Sequence, residues 1–306
     1  MRGIAYDRFG GTEVLTYRED LPEPPVGPDT VLVRVRAAGV NPVDMLVRGG
    51  GLAGAFPHHF PIVPGWDVAG VVEAVGPAVV AFAPGDEVYG YVRRDDVQWG
   101  TAAELVPAPQ RCLAHKPESL SFTEAGGLPL AGLTAYQALT EALDVGEGDR
   151  VLVHRAAGGV GFNAVQIAVA LGAHVIGTAS PKNHDVLRTA GCAEVLDYSA
   201  GPISGQLSEP VDAVLDLVGG DTLTDAPAQV RDPARIASVV EPRVLELGGR
   251  YVFVRPDAHD LEELARLADD GQLRVPIARA FPLAETAAAH ELVAGGHVRG
   301  KVVITL

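Results

Sequence analysis

The sequence predicts an α/β protein in two parts, a β-rich barrel or sandwich followed by a doubly wound parallel sheet with helices on both faces. Turn signals recur through the first hundred residues, and strand and helix patterns alternate from about residue 150 onward. The length of 306 residues is also about two domains' worth, at ~100–200 residues each.

Val31 to Ala37 alternates apolar and basic residues at period two, as a strand with one solvated face does. Val68–Gly76 and Gly85–Tyr91 follow as strands, with turn signals at Gly39, Pro64-Gly65, Gly76-Pro77 and Pro84-Gly85-Asp86. Short strands with frequent turns suit a small barrel or sandwich. The pattern changes at Ser121, a candidate helix N-cap, and Ala131–Leu143 fits a helix. Strand and helix then alternate: Arg150–His154, Val160–Leu171, His174–Thr178, Asn183–Ala190 and Ala193–Leu196. Further strands are expected at Val211–Val218, Ile236–Val240 and Arg250–Val254. Leu261–Asp269 and Ala284–Ala294 read as helices, and Lys301–Leu306 as a last strand. Such alternation argues for a parallel sheet covered by helices on both faces.

The most informative stretch is Val151 to Ala168, where an apolar strand meets a small-residue loop and a helix begins at once. Ala156, Gly158 and Gly161 stand at G-x-G-x-x-G spacing, with alanine for the first glycine. Ala157, Gly158, Gly159, Val160 and Gly161 would then hold a pyrophosphate at the helix N-terminus. Free N–H groups and the helix dipole favour negative charge there. The alternative is a glycine turn that only packs helix on strand. An NAD site places an acid at the end of the second strand. Here that end reads Gly177-Thr178-Ala179-Ser180-Pro181-Lys182, with no acid before Asp185. Ser180, as a hydrogen-bond donor, and Lys182, as a charge for a 2′-phosphate, therefore point to NADP(H), and Thr178 joins the cofactor site beside them; the alternative for Lys182 is a solvated residue in the next helix's first turn.

Composition excludes several classes. The formal charge of −15 and the lack of a basic run argue against nucleic-acid or membrane-surface partners. Two distant cysteines, Cys112 and Cys192, rule out a disulfide framework and a four-cysteine zinc site. No apolar signal core opens the chain, and no run approaches the ~18–20 apolar residues of a membrane helix. A soluble, cytoplasmic protein is expected.

Several motifs in order complete the picture: Asn41-Pro42-Val43-Asp44, Pro64 to Gly70, Gly85 to Val88, Leu133 to Tyr136, the Ala156–Gly161 loop, Asp197-Tyr198, Asp216 to Gly220, and Gly300 to Val303. With them the chain resembles the zinc-independent, quinone oxidoreductase-like family of the medium-chain dehydrogenase/reductase superfamily. The resemblance implies a GroES-like β-barrel catalytic domain over 1–120, completed by 256–306, and a Rossmann NADP(H)-binding domain over 121–255. It implies substrate and cofactor meeting between the domains, and a homodimer formed by extending the Rossmann sheet. Thr134, Tyr136, Tyr198, Val218 and Gly219 join the cofactor site on this basis; for each tyrosine a half-buried core position is the alternative.

Zinc-containing relatives carry a cysteine where this chain has Asn41 and a histidine where it has Trp66. Neither replacement is a usual zinc ligand, and His58-His59 lacks a spaced third ligand, so no metal is expected. The family uses NADPH to deliver hydride to a quinone or to the activated C=C of an α,β-unsaturated carbonyl. Asn41 is the candidate to stabilise charge on the acceptor oxygen, with nicotinamide contacts beside it; Asp44 is the candidate to orient. The alternative for this motif is a cap, with Asn41 as N-cap, Pro42 at the first helical position and Asp44 in the first turn. Enoyl-thioester reductases of the superfamily carry a tyrosine shortly after the motif, and Arg48–Phe56 has none. A biosynthetic enoyl-thioester reductase and a non-catalytic NADPH-binding sensor are the competing functions.

Overall fold

A computed structural model describes residues 1–296 and 298–306. In chain order the strands are β1 (Gly3–Ala5), β2 (Thr16–Arg18), β3 (Thr30–Val40), β4 (Asp67–Val75), β5 (Glu87–Tyr91), β6 (Leu105–Pro109) and β7 (Leu113–His115). Then come β8 (Arg150–Val153), β9 (His174–Ala179), β10 (Glu194–Asp197), β11 (Ala213–Asp216), β12 (Ile236–Ser238), β13 (Arg250–Tyr251), β14 (Ile277–Pro282) and β15 (Lys301–Thr305). The helices are α1 (Pro42–Arg48), α2 (Phe122–Gly127), α3 (Pro129–Gln137), α4 (Gly159–Ala170), α5 (His184–Thr189), α6 (Gly220–Asp225), α7 (Ala258–Asp269) and α8 (Thr286–Ala294). Two units result, one of residues 1–130, 256–269 and 275–306, the other of 131–255 and 270–274.

The first unit is organised by β3. Along one edge it pairs with β4; along the other, its first half takes β6 and its last residues take β15, all antiparallel. Register shifts between Leu32 and Val33 and between Val35 and Ala37 mark irregularities in the β3–β4 ladder, and such bulges bend a strand. Arg34 reaches water, as the alternating pattern anticipates, and pairs with Glu73 on β4 at 2.8 Å. The apolar side chains Val31, Val33 and Val35 join Val68, Val72, Val88, Val106, Leu113, Val302 and Ile304 in one core.

The second unit is a six-stranded parallel sheet in the order β10-β9-β8-β11-β12-β13. Counted from β8 this is 3-2-1-4-5-6, the doubly wound order, whose direction reverses between β8 and β11.

Differences from the sequence reading have local causes. The unit boundary falls after Leu130 rather than after residue 120, because α2 packs on β3: a Cβ on Gly126 would stand 2.9 Å from that of Ala37. The pattern change at Ser121 marks a helix start, capped reciprocally by Ser121 and Glu124, not a domain boundary. The helix expected over 131–143 is α3 followed by a wider π-helical turn over 138–142. Strand β11 stops at Asp216 because its carboxylate accepts the N–H groups of Val218 and Gly219. Strands β6 and β14 escape the pattern reading because prolines interrupt or end them; each pairs along one edge alone, where proline is tolerated.

Candidate active site

In the second unit the candidate cofactor residues other than Thr134 and Tyr136, which lie on α3, lie at or follow the carboxyl ends of β8, β9, β10 and β11. The loop after β8 is drawn against β9: Ala156 N–H donates to the Thr178 carbonyl at 3.0 Å, and Arg155 N–H to Thr178 Oγ1 at 3.1 Å. Arg155 holds φ at +51°, an uncommon conformation for a side-chain-bearing residue that clusters at functional turns. Gly158 is the N-cap of α4, so the N–H groups of Gly159, Val160 and Gly161 occupy the first turn, where no intrahelical acceptor exists.

The two glycines have separable reasons. A Cβ on Gly161 would lie 2.4 Å from the Arg155 carbonyl oxygen and 2.8 Å from Ala156 Cα, so glycine is required for α4 to close on its own loop. A Cβ on Gly158 would meet nothing nearer than 3.3 Å. The three nearest atoms all belong to Arg155, the closest being its backbone carbonyl oxygen, a tight contact but far milder than that at Gly161. A glycine that its own loop requires less strictly, placed at the helix start, suits backbone approach to a pyrophosphate. The loop and helix start fit a dinucleotide.

Around the loop, Ser180 and the exposed Lys182 follow the end of β9 in a short turn over Pro181–Asn183. Asp185, the nearest following acid, is held by Arg188 at 2.9 Å. Thr178 is buried with its hydroxyl taken by Arg155 N–H, so it shapes the loop from within. Gly219, φ +77°, and the half-exposed Val218 form the turn after β11 that Asp216 anchors. Tyr198, after β10, is 61% exposed, which removes the core alternative for it. Thr134 is buried and Tyr136 partly so, both on α3.

Asn41 and Asp44 belong to the first unit, at the start of α1. The Asp44 carboxylate accepts the Asn41 backbone N–H at 2.7 Å, the return half of a capping box. The Asn41 side chain makes two other bonds. Its Nδ2 donates to Asp67 Oδ2 at 2.8 Å, and the Lys301 ammonium donates to its Oδ1. Asp67 Oδ1 in turn accepts Leu130 N–H at 2.8 Å. Capping and side-chain chemistry thus coexist at the motif, divided between Asp44 and Asn41.

Sheet topology explains the meeting. Strands β15, β3 and β4 are neighbours and β3 runs antiparallel to both, so the residue after β3 lies beside the first residues of β15 and β4. These are Asn41, Lys301 and Asp67. Gly39 makes the room, since a Cβ there would touch Asp67 Oδ2 at 3.0 Å and the Gly126 carbonyl oxygen at 2.5 Å. The side chains of Asn41, Asp44, Asp67 and Lys301 are all buried, Asp67 completely and Asn41 to 1% exposure. Burial raises the Asp44 carboxyl to about 7, against the lowering effect of the Asn41 N–H. Burial likewise raises Asp67 to about 6, opposed by Lys301, and it lowers Lys301. Asp67 and Lys301 lie inside two of the family motifs, but sequence alone assigns them no role. Their signal was a charge at the edge of an apolar strand run, in Trp66-Asp67-Val68-Ala69 and Gly300-Lys301-Val302-Val303.

Trp66 packs edge-on against Phe56 and Tyr91, with ring centroids 6.3 and 6.1 Å away. Tyr89 is buried, and its hydroxyl donates to the Leu261 carbonyl at 2.5 Å. His58 Nδ1 donates to the Phe56 carbonyl at 2.7 Å. Among the described residues no three His, Cys, Asp or Glu side chains cluster as a metal site.

Residues 27–118 match the alcohol dehydrogenase GroES-like domain family, and residues 190–304 the family described as zinc-binding dehydrogenase. The fold is a GroES-like domain with a Rossmann-type parallel sheet. The chain is 33% identical to human mitochondrial NAD(P)H oxidoreductase RTN4IP1, over 98% of its own length and 88% of that protein's. It is 33% identical to an NADPH-dependent alkenal/one oxidoreductase, chloroplastic, of Arabidopsis thaliana, over 99% and 79%. The solved quinone oxidoreductase of Coxiella burnetii superimposes with a TM-score of 0.91 at 36% identity, covering 100% of this chain and 99% of that one. The chain belongs to the quinone oxidoreductase-like family of the medium-chain dehydrogenase/reductase superfamily.

Proposed function

We propose that the chain is an NADPH-dependent reductase that passes hydride, without zinc, to a quinone or to the activated C=C of an α,β-unsaturated carbonyl. Family membership makes it an oxidoreductase working with a nicotinamide cofactor; the choice of NADPH and of acceptor is the finer reading. The observation that carries it is the loop after β8, where internal packing requires glycine strictly at Gly161 and far less strictly at Gly158, the first-turn N–H groups following at once. Ser180 and Lys182, with no acid between β9 and Asp185, support binding of a 2′-phosphate.

When bound, NADPH supplies the hydride. The first-turn N–H groups of α4 would hold its pyrophosphate. Charge then grows on the acceptor oxygen, and a fixed donor aimed there lowers the barrier. Asn41 is the candidate donor through Nδ2, while Asp44 positions the backbone of Asn41. Asn41 and Trp66, at the positions of zinc ligands in relatives, lack the ligand chemistry zinc requires. Strand β13 ends the parallel sheet, and pairing of two copies along it would give the homodimer. Both cysteines are free and buried, which suits a reducing compartment such as the cytoplasm.

The test follows NADPH absorbance at 340 nm against a panel of quinones, small enones and an enoyl-thioester. The reading expects kcat/KM for the best quinone or enone to exceed that for the thioester by at least about tenfold, an energy difference of about 1.4 kcal/mol. A thioester preferred by that margin would replace it with the biosynthetic alternative, and NADPH binding without turnover would replace it with the sensor.

A further inference from the structure

We propose that Lys301 and Asp67 are positioning residues that lock the orientation of the Asn41 amide and leave one of its N–H groups for the acceptor. The inference rests on the reading above for the use of that N–H, but not for the lock itself.

An amide side chain can be turned over with little change in shape, so its orientation must come from its partners. Here the partners admit one answer. An ammonium has donors and no acceptor, and an ionised carboxylate has acceptors and no donor. Lys301 Nζ lies on the Oδ1 side of Asn41, and Asp67 Oδ2 on the Nδ2 side at 2.8 Å. Turning the amide over would set ammonium against NH₂ and carboxylate against carbonyl oxygen, with water largely excluded.

Both partners are themselves held. Asp67 Oδ1 is fixed by Leu130 N–H at 2.8 Å, and Lys301 Nζ stands 3.9 Å from Asp67 Oδ2 and 3.5 Å from the Val40 carbonyl oxygen. The Asn41 backbone is fixed by Asp44 at 2.7 Å. Asp67 is the acceptor for one Nδ2 proton, and the amide retains a second. A cation on Oδ1 also polarises the amide and makes its N–H groups stronger donors. A neutral Asn41 flanked by one charge of each sign is therefore a preset donor, built where zinc-binding relatives keep a cysteine.

The chain has three asparagines, Asn41, Asn163 and Asn183, so selective ¹⁵Nδ2-asparagine labelling gives a readable amide spectrum, with Asn41→Ala assigning the signal. In the full-length protein the lock predicts two well-separated Asn41 Nδ2 protons that exchange slowly with solvent. Lys301→Met should collapse that separation and speed exchange at least tenfold, leaving Asn163 and Asn183 unmoved; Lys301→Arg should retain the separation. If Lys301→Met unfolds, the paired variant Asp67→Asn with Lys301→Met removes both charges together and should free the amide in the same way. Kinetically, Lys301→Met should lower kcat at least tenfold with NADPH affinity unchanged, and less than twofold further in an Asn41→Ala background. An Asn41 amide signal unmoved in either variant overturns the lock, as does an equal loss of kcat in both backgrounds. A freed amide with kcat unchanged in Asn41→Ala would uphold the lock and overturn only the donor role.

Discussion

Asp44 is buried in the first turn of α1, and that burial raises its carboxyl to about 7 although the Asn41 N–H pulls the other way. The folded protein therefore keeps a proton that the unfolded chain releases near the ordinary value of 3.8. Linkage sets the sign: stability that is full below about 4 falls as pH rises toward about 7. Asp44→Asn removes this loss. Relative to the unchanged protein it should be more stable at pH 8 than at pH 5, by on the order of 1–3 kcal/mol, since one pH unit of such a shift is about 1.4 kcal/mol. Thermal melts at the two pH values check it, and equal offsets would contradict the assignment. Asn41 and Asp44 were legible in the sequence because four consecutive residues carry their relation, cap included. Asp67 and Lys301 were not, since they reach Asn41 across 26 and 260 residues and only strand pairing brings them together.

At the scale of elements, the strand–loop–helix unit around Gly158 was the most legible part of the chain, because its apolar strand, small-residue turn and helix are contiguous. Its two glycines should respond differently. Gly161→Ala sets a Cβ against backbone at 2.4 Å, and should cost about 1–3 kcal/mol of stability as overpacking does. Gly158→Val should leave the fold intact and weaken NADPH at least about a hundredfold, near 2.7 kcal/mol. Melting curves beside NADPH titrations separate the effects; a folded Gly158→Val protein with full affinity would contradict the placement of the pyrophosphate. Less legible were the strands that proline interrupts and the exact ends of β11 and β12. Asp216 and Ser238 terminate those two through side-chain bonds to the turns that follow, and a pattern of apolar residues does not register such bonds.

The whole molecule is assembled out of sequence order, since β15, at the end of the chain, pairs with β3 near its beginning. Period and propensity reveal β15 as a strand but not its partner; the family resemblance places the C-terminal segment in the barrel, and the pairing with β3 comes from the structure. No described helix is long and apolar enough to cross a membrane, and the charge of −15 gives the chain no broad attraction for phosphate backbones. The second unit carries a loop suited to a dinucleotide, and the first a buried amide held between opposite charges. The direct measurement is NADPH oxidation at 340 nm by chelator-stripped protein, its metal content verified, with the best quinone or enone as acceptor and NADH in parallel. Undiminished turnover after stripping and a preference for NADPH of at least about tenfold, near 1.4 kcal/mol, are expected. Turnover that vanishes with the metal and returns with zinc, or that runs equally well on NADH, would contradict the proposed function.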